Sequence, residues 1–160
     1  MNLYGYVGGD PVNAVDLLGL IDINLNLNNN TVDGKIDKRI SGFVINAPDV
    51  WDKITVYAHG DSNRVGDMRK GFPGIKLTPQ ELADIIKNHK GFKDAKEIVL
   101  YSCSNGKDPN GFATQLSKLL GLPVWAPNDF LWIRPDGKYT IGSHSTLGIA
   151  PGGGKFIKYE

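Results

Sequence analysis

A histidine and the chain's one cysteine are the side chains best placed for covalent chemistry, because each closes an apolar run. The first run is Ile54-Thr55-Val56-Tyr57-Ala58-His59-Gly60. The second is Ile98-Val99-Leu100-Tyr101-Ser102-Cys103, followed by Ser104-Asn105-Gly106. A thiol attacks a carbonyl carbon as the thiolate, and an imidazole beside it can take the thiol proton and later return it to a leaving amine. Gly60 has no side chain, so a substrate could approach its backbone N–H, which together with that of Cys103 would hold an oxyanion. The chemistry predicted is acyl transfer, with Cys103 as nucleophile and His59 as general base and then acid.

Taken singly, each residue has a plainer use. A free cysteine at a strand end is usually buried filler, and it is the matching His-Gly at the end of a second run that tips the balance toward catalysis. Ser102, Asp61, Asp129 and His144 are accessory candidates around the pair, with Asp49 a further carboxylate to consider. His89 falls at the end of a helix, where a cation complements the dipole. His59, Cys103 and His144 could in principle bind zinc, but they lack the close ligand pairs of zinc sites, so neither a metal nor a cofactor is expected. Trp125, Trp132 and Phe130 could line a groove, although aromatic residues around a sheet are more often core. Gly152-Gly153-Gly154 lacks the Lys and Ser/Thr of a phosphate loop and reads as a flexible tail.

The runs that carry the pair look like strands of a sheet. Strict alternation from Ile21 to Leu27 predicts an opening β element, ended by Asn28-Asn29-Asn30. Gly42 to Ala47, Ile54 to Ala58 and Ile98 to Tyr101 read as buried central strands, in a mainly parallel arrangement. Thr78-Pro79-Gln80-Glu81 is a helix start with an N-cap, an N1 proline and a capping box; this helix runs to about His89, with Gly91 following. A second helix, capped by Asp108 or Asn110, carries Phe112, Ala113, Leu116, Leu119 and Leu120 and ends at Gly121. Val124 to Ala126 resumes the sheet, and Phe130 to Arg134 with Lys138 to Gly142 form a hairpin around Pro135-Asp136-Gly137. Strand, helix, strand, helix, strand predicts an α/β sheet flanked by helices. In such sheets ligands sit at the carboxyl ends of strands, where both His59 and Cys103 fall.

Length and composition fit that frame. The 160 residues suffice for one core, and 41% hydrophobic with 22% charged residues is ordinary globular composition. Eighteen basic against 17 acidic residues leave no field to draw the chain onto nucleic acid or an anionic membrane, so neither is an expected partner. The near balance also argues against a nuclease. No apolar run spans a bilayer, no secretory signal opens the sequence, and a lone thiol suits a reducing compartment.

Two resemblances sharpen these expectations. Asn2-Leu3-Tyr4-Gly5-Tyr6-Val7-Gly8-Gly9-Asp10-Pro11-Val12-Asn13, with Asp16-Leu17-Leu18-Gly19-Leu20, resembles the end of the Rhs repeat-associated core. Leu17 stands where that family's closing Asp-Pro-x-Gly-Leu cleavage element has proline. The resemblance implies that residues 1–20 are the end of the core and a linker or cleavage region, and that residues 21–160 are a toxin domain. It further implies an Rhs shell as carrier, a cognate immunity protein, and export by a dedicated system into a target-cell cytoplasm.

From Ile54 to Ala126, an apolar strand with His-Gly, a helix, and an apolar strand with a small residue and Cys resemble caspase-like (clan CD) cysteine peptidases. That resemblance implies a caspase-like sandwich and a peptidase with a protein substrate. It makes His59 the catalytic His, Gly60 its partner, Ser102 the small residue before the nucleophile and Cys103 the nucleophile. Two alternatives stay open: a toxin that binds its target without catalysis, and another Cys/His acyl-transfer enzyme such as a deamidase. Deaminases and ADP-ribosyltransferases would need zinc-ligand or NAD-site signatures that the sequence lacks.

Overall fold

Ile21, Ile23 and Leu25 are all buried, but Ile23 and Leu25 join one core cluster while Ile21 packs with Phe43, Tyr57 and Tyr101 in another, so the alternation does not put all three on one face. In the computed structural model, which describes residues 21–26, 31–32, 35–36, 43–44, 52–69, 74–145, 148–149 and 153–160, this stretch contributes β1 (Ile23–Asn24). A short antiparallel pair follows, β2 (Thr31–Val32) and β3 (Lys35–Ile36). The run predicted as a strand at Gly42 to Ala47 is not one where it is described. Phe43 and Val44 are helical, and the place beside the next strand is taken by β1; the rest of that run lies outside the described residues. Phe43 instead packs its ring against Tyr57 and Tyr101.

The β-branched run Lys53–Tyr57 forms β4, and after Ala58 the chain turns into β5 (His59–Gly60), β6 (Val65–Asp67) and β7 (Ile75–Leu77), a small antiparallel sheet. Helix α1 (Pro79–Lys87) starts as its sequence dictates. The Thr78 hydroxyl accepts the Glu81 N–H, the Glu81 carboxylate accepts the Thr78 N–H, and Pro79 sits where no donor is needed. It stops at Asn88 in a right-handed conformation, earlier than a glycine cap at Gly91 would have it. The chain continues through β8 (Glu97–Tyr101), α2 (Phe112–Leu120) and β9 (Val124–Pro127). The cap of α2 is Gly111, with no side-chain bond. Asp108 spends its carboxylate on the N–H of Asn110 in the preceding turn, while Gly121 ends the helix at φ 66° as expected.

The hairpin around Pro135-Asp136-Gly137 is present as β10 (Leu131–Ile133) and β11 (Tyr139–Ile141), followed by the short pair β12 (His144–Ser145) and β13 (Gly148–Ile149). The glycines beyond are not a loose tail where they are described. Gly154 lies so close to Ile141 that a Cβ would clash, and it leads into β14 (Phe156–Tyr159).

One mixed sheet organises these elements, in the order β1-β4-β8-β9-β14, with the first four strands parallel and β14 antiparallel on the edge. The strand order advances in one direction, so successive crossovers bring α1 and α2 to the same face, where they pack on each other. Ile54, Val56, Ile98, Leu100 and Val124 meet Leu82, Ile86, Phe112 and Leu116 there. Leu100 is fully enclosed, and its truncation to alanine would cost about 2–5 kcal/mol. The other face carries Tyr57, Val99 and Tyr101. It is covered by the helical residues Phe43 and Val44 and by β10. The architecture is thus α/β with a mainly parallel sheet, with α1 and α2 on one face and the helical residues Phe43 and Val44 on the other. No described helix is long and apolar enough to cross a membrane.

Candidate functional site

Parallel pairing of β4 with β8 sets Tyr57 opposite Tyr101, and the Ala58 N–H still donates to the Tyr101 carbonyl at 3.2 Å. Beyond that bond the strands part. His59 lies two residues past Tyr57, and Cys103 two residues past Tyr101, so the two predicted residues leave the sheet from neighbouring strands at the same end. No hydrogen bond joins them.

His59 pairs with Gly66 in β5–β6 and is an exposed residue, yet the protein around its ring lowers its pKa below the usual histidine value. Its imidazole is therefore neutral at neutral pH and able to accept a proton. Cys103 is half-buried, and its Sγ accepts the N–H of Leu131 at 3.4 Å while approaching the Leu131 carbonyl at 3.9 Å. Burial pushes its thiol pKa up. The Leu131 N–H opposes the rise, the nearby Asp129 charge adds to it, and the N–H of Cys103 itself leans the other way. With the thiol pushed up and the imidazole pushed down, the resting pair is a neutral thiol and a neutral imidazole.

The smaller residues divide clearly. Asp61 is a turn residue, its carboxylate accepting the N–H groups of Asn63 and Arg64, so it does not orient His59. Asp129 accepts the Ser143 hydroxyl at 2.6 Å and the Phe130 N–H, which hold its carboxyl below the usual range; it reaches Cys103 only through its charge. His144 lies in β12, and its side chain is outside the described residues, as is Asp49. Among the described residues no three His, Cys, Asp or Glu gather as a metal site. Trp132 donates to the Gly142 carbonyl and Trp125 to Glu97, so both indoles are committed to the framework, while Phe130 stays exposed beside Trp132.

Gly60 has a tighter requirement than the open approach expected of it. A Cβ there would stand 2.2 Å from the Ser102 Oγ and 2.7 Å from the Asn105 Oδ1, so glycine is what lets the two loops touch. The Asp61 N–H bonds the Arg64 carbonyl, which by alternation leaves the Gly60 N–H pointing away from β6. Ser102 and Asn105 are both buried, and among the described residues Ser102 Oγ and Asn105 Oδ1 find no hydrogen-bond partner. Asn105 went unnoticed in the sequence; the signal available was a carboxamide two residues after the thiol in a loop of small residues. Ser104 between them holds φ 58°, a conformation non-glycine residues seldom adopt and one that clusters at working sites. A groove of about 530 Å³ opens on the far side of the turn, lined by Arg64, Gln80, Phe112 and Gln115 among others, and neither His59 nor Cys103 lines it.

Residues 21–141 match the family described as a domain of unknown function, DUF8616. The chain is also 31% identical over 105 residues to the uncharacterized protein YibJ of Escherichia coli (strain K12), a stretch that covers 66% of this chain and 40% of that protein. The match thus spans about two-fifths of the length of this curated relative. No solved structure matches.

Proposed function

We propose that this chain, which belongs to the DUF8616 family, is the toxin domain of an Rhs-type bacterial effector and works as a cysteine peptidase in the target cell. The observation that carries the chemistry is the register of β4 with β8, which sends His59 and Cys103 out of neighbouring parallel strands at their carboxyl ends. The family match opening at residue 21, directly after the Rhs-like stretch of residues 1–20, supports the carrier half of the reading.

In this mechanism His59 acts as a true general base, because the pKa directions of both groups favour a neutral resting pair. As Sγ of Cys103 attacks the peptide carbonyl carbon, the imidazole takes the thiol proton, and the N–H groups of Gly60 and Cys103 hold the oxygen that becomes negative. Collapse breaks the C–N bond, the imidazolium returns the proton to the amine, and water attacking the thioester releases the acid and restores the thiol. A side-chain amide in place of a peptide would make the same steps a deamidation. The carrier is the Rhs shell, a dedicated export system delivers the domain, and a cognate immunity protein protects the producer by covering this end of the sheet. Neither nucleic acid nor membrane enters the mechanism.

The test is killing on cytoplasmic expression of the full chain in bacteria, comparing wild type with Cys103→Ala and His59→Ala at equal levels of folded protein. Loss of killing in both variants, with new protein N-termini in wild-type cells, is the expected result. Killing that survives Cys103→Ala would sink thiol catalysis. It would instead favour a toxin that binds its target, a reading supported by the clamp of Leu131 backbone on Sγ, which suits a packing thiol.

A further inference from the structure

Asn105 is completely enclosed, and its carboxamide reaches across the gap that opens where β4 and β8 part. Its Nδ2 donates to the Asp61 carbonyl at 2.6 Å and to the Arg64 carbonyl at 3.3 Å, both in the turn that follows His59-Gly60. Its Oδ1 faces Gly60 and, although buried, has no hydrogen-bond donor among the described residues. Leaving such an oxygen bare is destabilising, so the carboxamide is a poor choice if stability alone were served. The loop that carries Asn105 is fixed on its other flank. The Ser104 N–H bonds the Asp129 carbonyl, the Gly106 N–H bonds the Pro127 carbonyl, and the Tyr159 hydroxyl donates to the Gly106 carbonyl. The loop is thus the fixed member, and the His59 turn is what Asn105 holds to it.

We propose that Asn105 is a positioning residue that sets the His59 turn against the Cys103 loop, with Gly60 and Ser102 as the bearing surface between them. The proposal rests on the dyad reading above. Asn105 touches no reacting atom. It acts by fixing the separation of two groups that the sheet alone does not bring into contact, and a misplacement of about 1 Å is enough to lower such a reaction 100-fold.

The experiment reads thiol reactivity without a substrate. The full chain is alkylated with iodoacetamide across pH, for wild type, Asn105→Ala, His59→Ala and the milder Asn105→Ser, each checked by circular dichroism and a melting curve. A thiol coupled to an imidazole reacts with a shoulder below its own titration, the signature of a proton shared with histidine. Wild type is expected to show that shoulder, His59→Ala to lack it, and Asn105→Ala to reduce it at least tenfold while the high-pH rate of the uncoupled thiolate persists. Asn105→Ser, which cannot span both carbonyls, takes the place of the alanine variant if that one does not fold. A shoulder of undiminished height in the folded Asn105 variant overturns the positioning role. A wild-type profile that His59→Ala leaves unchanged removes the dyad itself, and with it the need for a positioning residue.

Discussion

The two ends of the central sheet are built on opposite principles. At the amino ends of β4 and β8, Glu97 accepts from Lys53 at 2.7 Å, from Lys158 at 3.2 Å and from the Trp125 indole at 3.0 Å, and both lysines lie over the Trp125 ring. Every group named there has a partner. At the carboxyl ends, the Ser102 Oγ and Asn105 Oδ1 are buried without one, Ser104 is left-handed, and the thiol of Cys103 is pushed up in pKa by burial. The β4–β8 pairing runs from Lys53–Glu97 to Tyr57–Tyr101 and then stops, so the two ends differ in how the groups beyond the pairing are satisfied. The first is spent on holding the strands together, whereas the second tolerates unsatisfied groups, as active sites do.

The comparison can be pressed hardest at Gly60. A methyl group there must displace the Ser102 Oγ and the Asn105 Oδ1, so Gly60→Ala should lose about 1–3 kcal/mol in chemical denaturation and abolish killing. Adding Ser102→Gly removes the nearest clash and should restore part of the stability. A Gly60→Ala protein as stable as wild type would mean that the two loops do not bear on each other.

At the opposite end the effect is smaller and depends on pH. The Glu97 carboxyl is held down to about 2 by Lys53 first, with Lys158 and Trp125 helping. Its folded pKa lies below the ordinary 4.5, so its contribution is complete above that value and is lost as pH falls from 4.5 toward 2. After solvent screening, Glu97→Gln should cost about 1 kcal/mol at pH 7, and the gap between variant and wild type should close below pH 3 in acid melts. A gap that stays open at low pH would mean that packing and not charge holds this end.

His59 titrates with the opposite chemistry but in the same direction. Its pKa is lowered by burial, so the unfolded chain binds the proton first, and stability falls as pH drops below the ordinary 6.5. His59→Gln should flatten that slope slightly in melts between pH 7 and pH 5, and an NMR titration of the wild-type imidazole should show its midpoint below 6.5. The smallest change belongs to Ser102→Ala. It removes a buried hydroxyl that bonds to nothing, so it should be neutral or stabilise by up to about 1 kcal/mol, where a paired serine would cost that much.

This division was half visible in the sequence. Local signals were strong at α1, where Thr78, Pro79 and Glu81 each contribute a separate reason to begin a helix, and at the hairpin turn of Pro135-Asp136-Gly137. The β-branched runs of β4 and β8 likewise announced the strands that carry His59 and Cys103. What could not be read was non-local. Phe43 has the same apolar character in a strand or in a helical turn, and only its rings' contacts with Tyr57 and Tyr101 choose between them. The strand β14 hid behind glycines because its pairing partner, β9, lies far upstream. Asn105 escaped for the same reason: its bonds reach 44 and 41 residues back, and no spacing rule encodes them.

The hydroxyl of Tyr159 on the Gly106 carbonyl has a temporal consequence as well as a spatial one. The two residues are 53 apart, and synthesis delivers the thiol loop well before the strand that anchors it. During that interval β9 is an open sheet edge, and the loop after Cys103 lacks one of its pins. A nascent chain therefore carries His59 and Cys103 before the strand that pins the loop after Cys103 has been made, and pairing of β14 with β9 closes that interval.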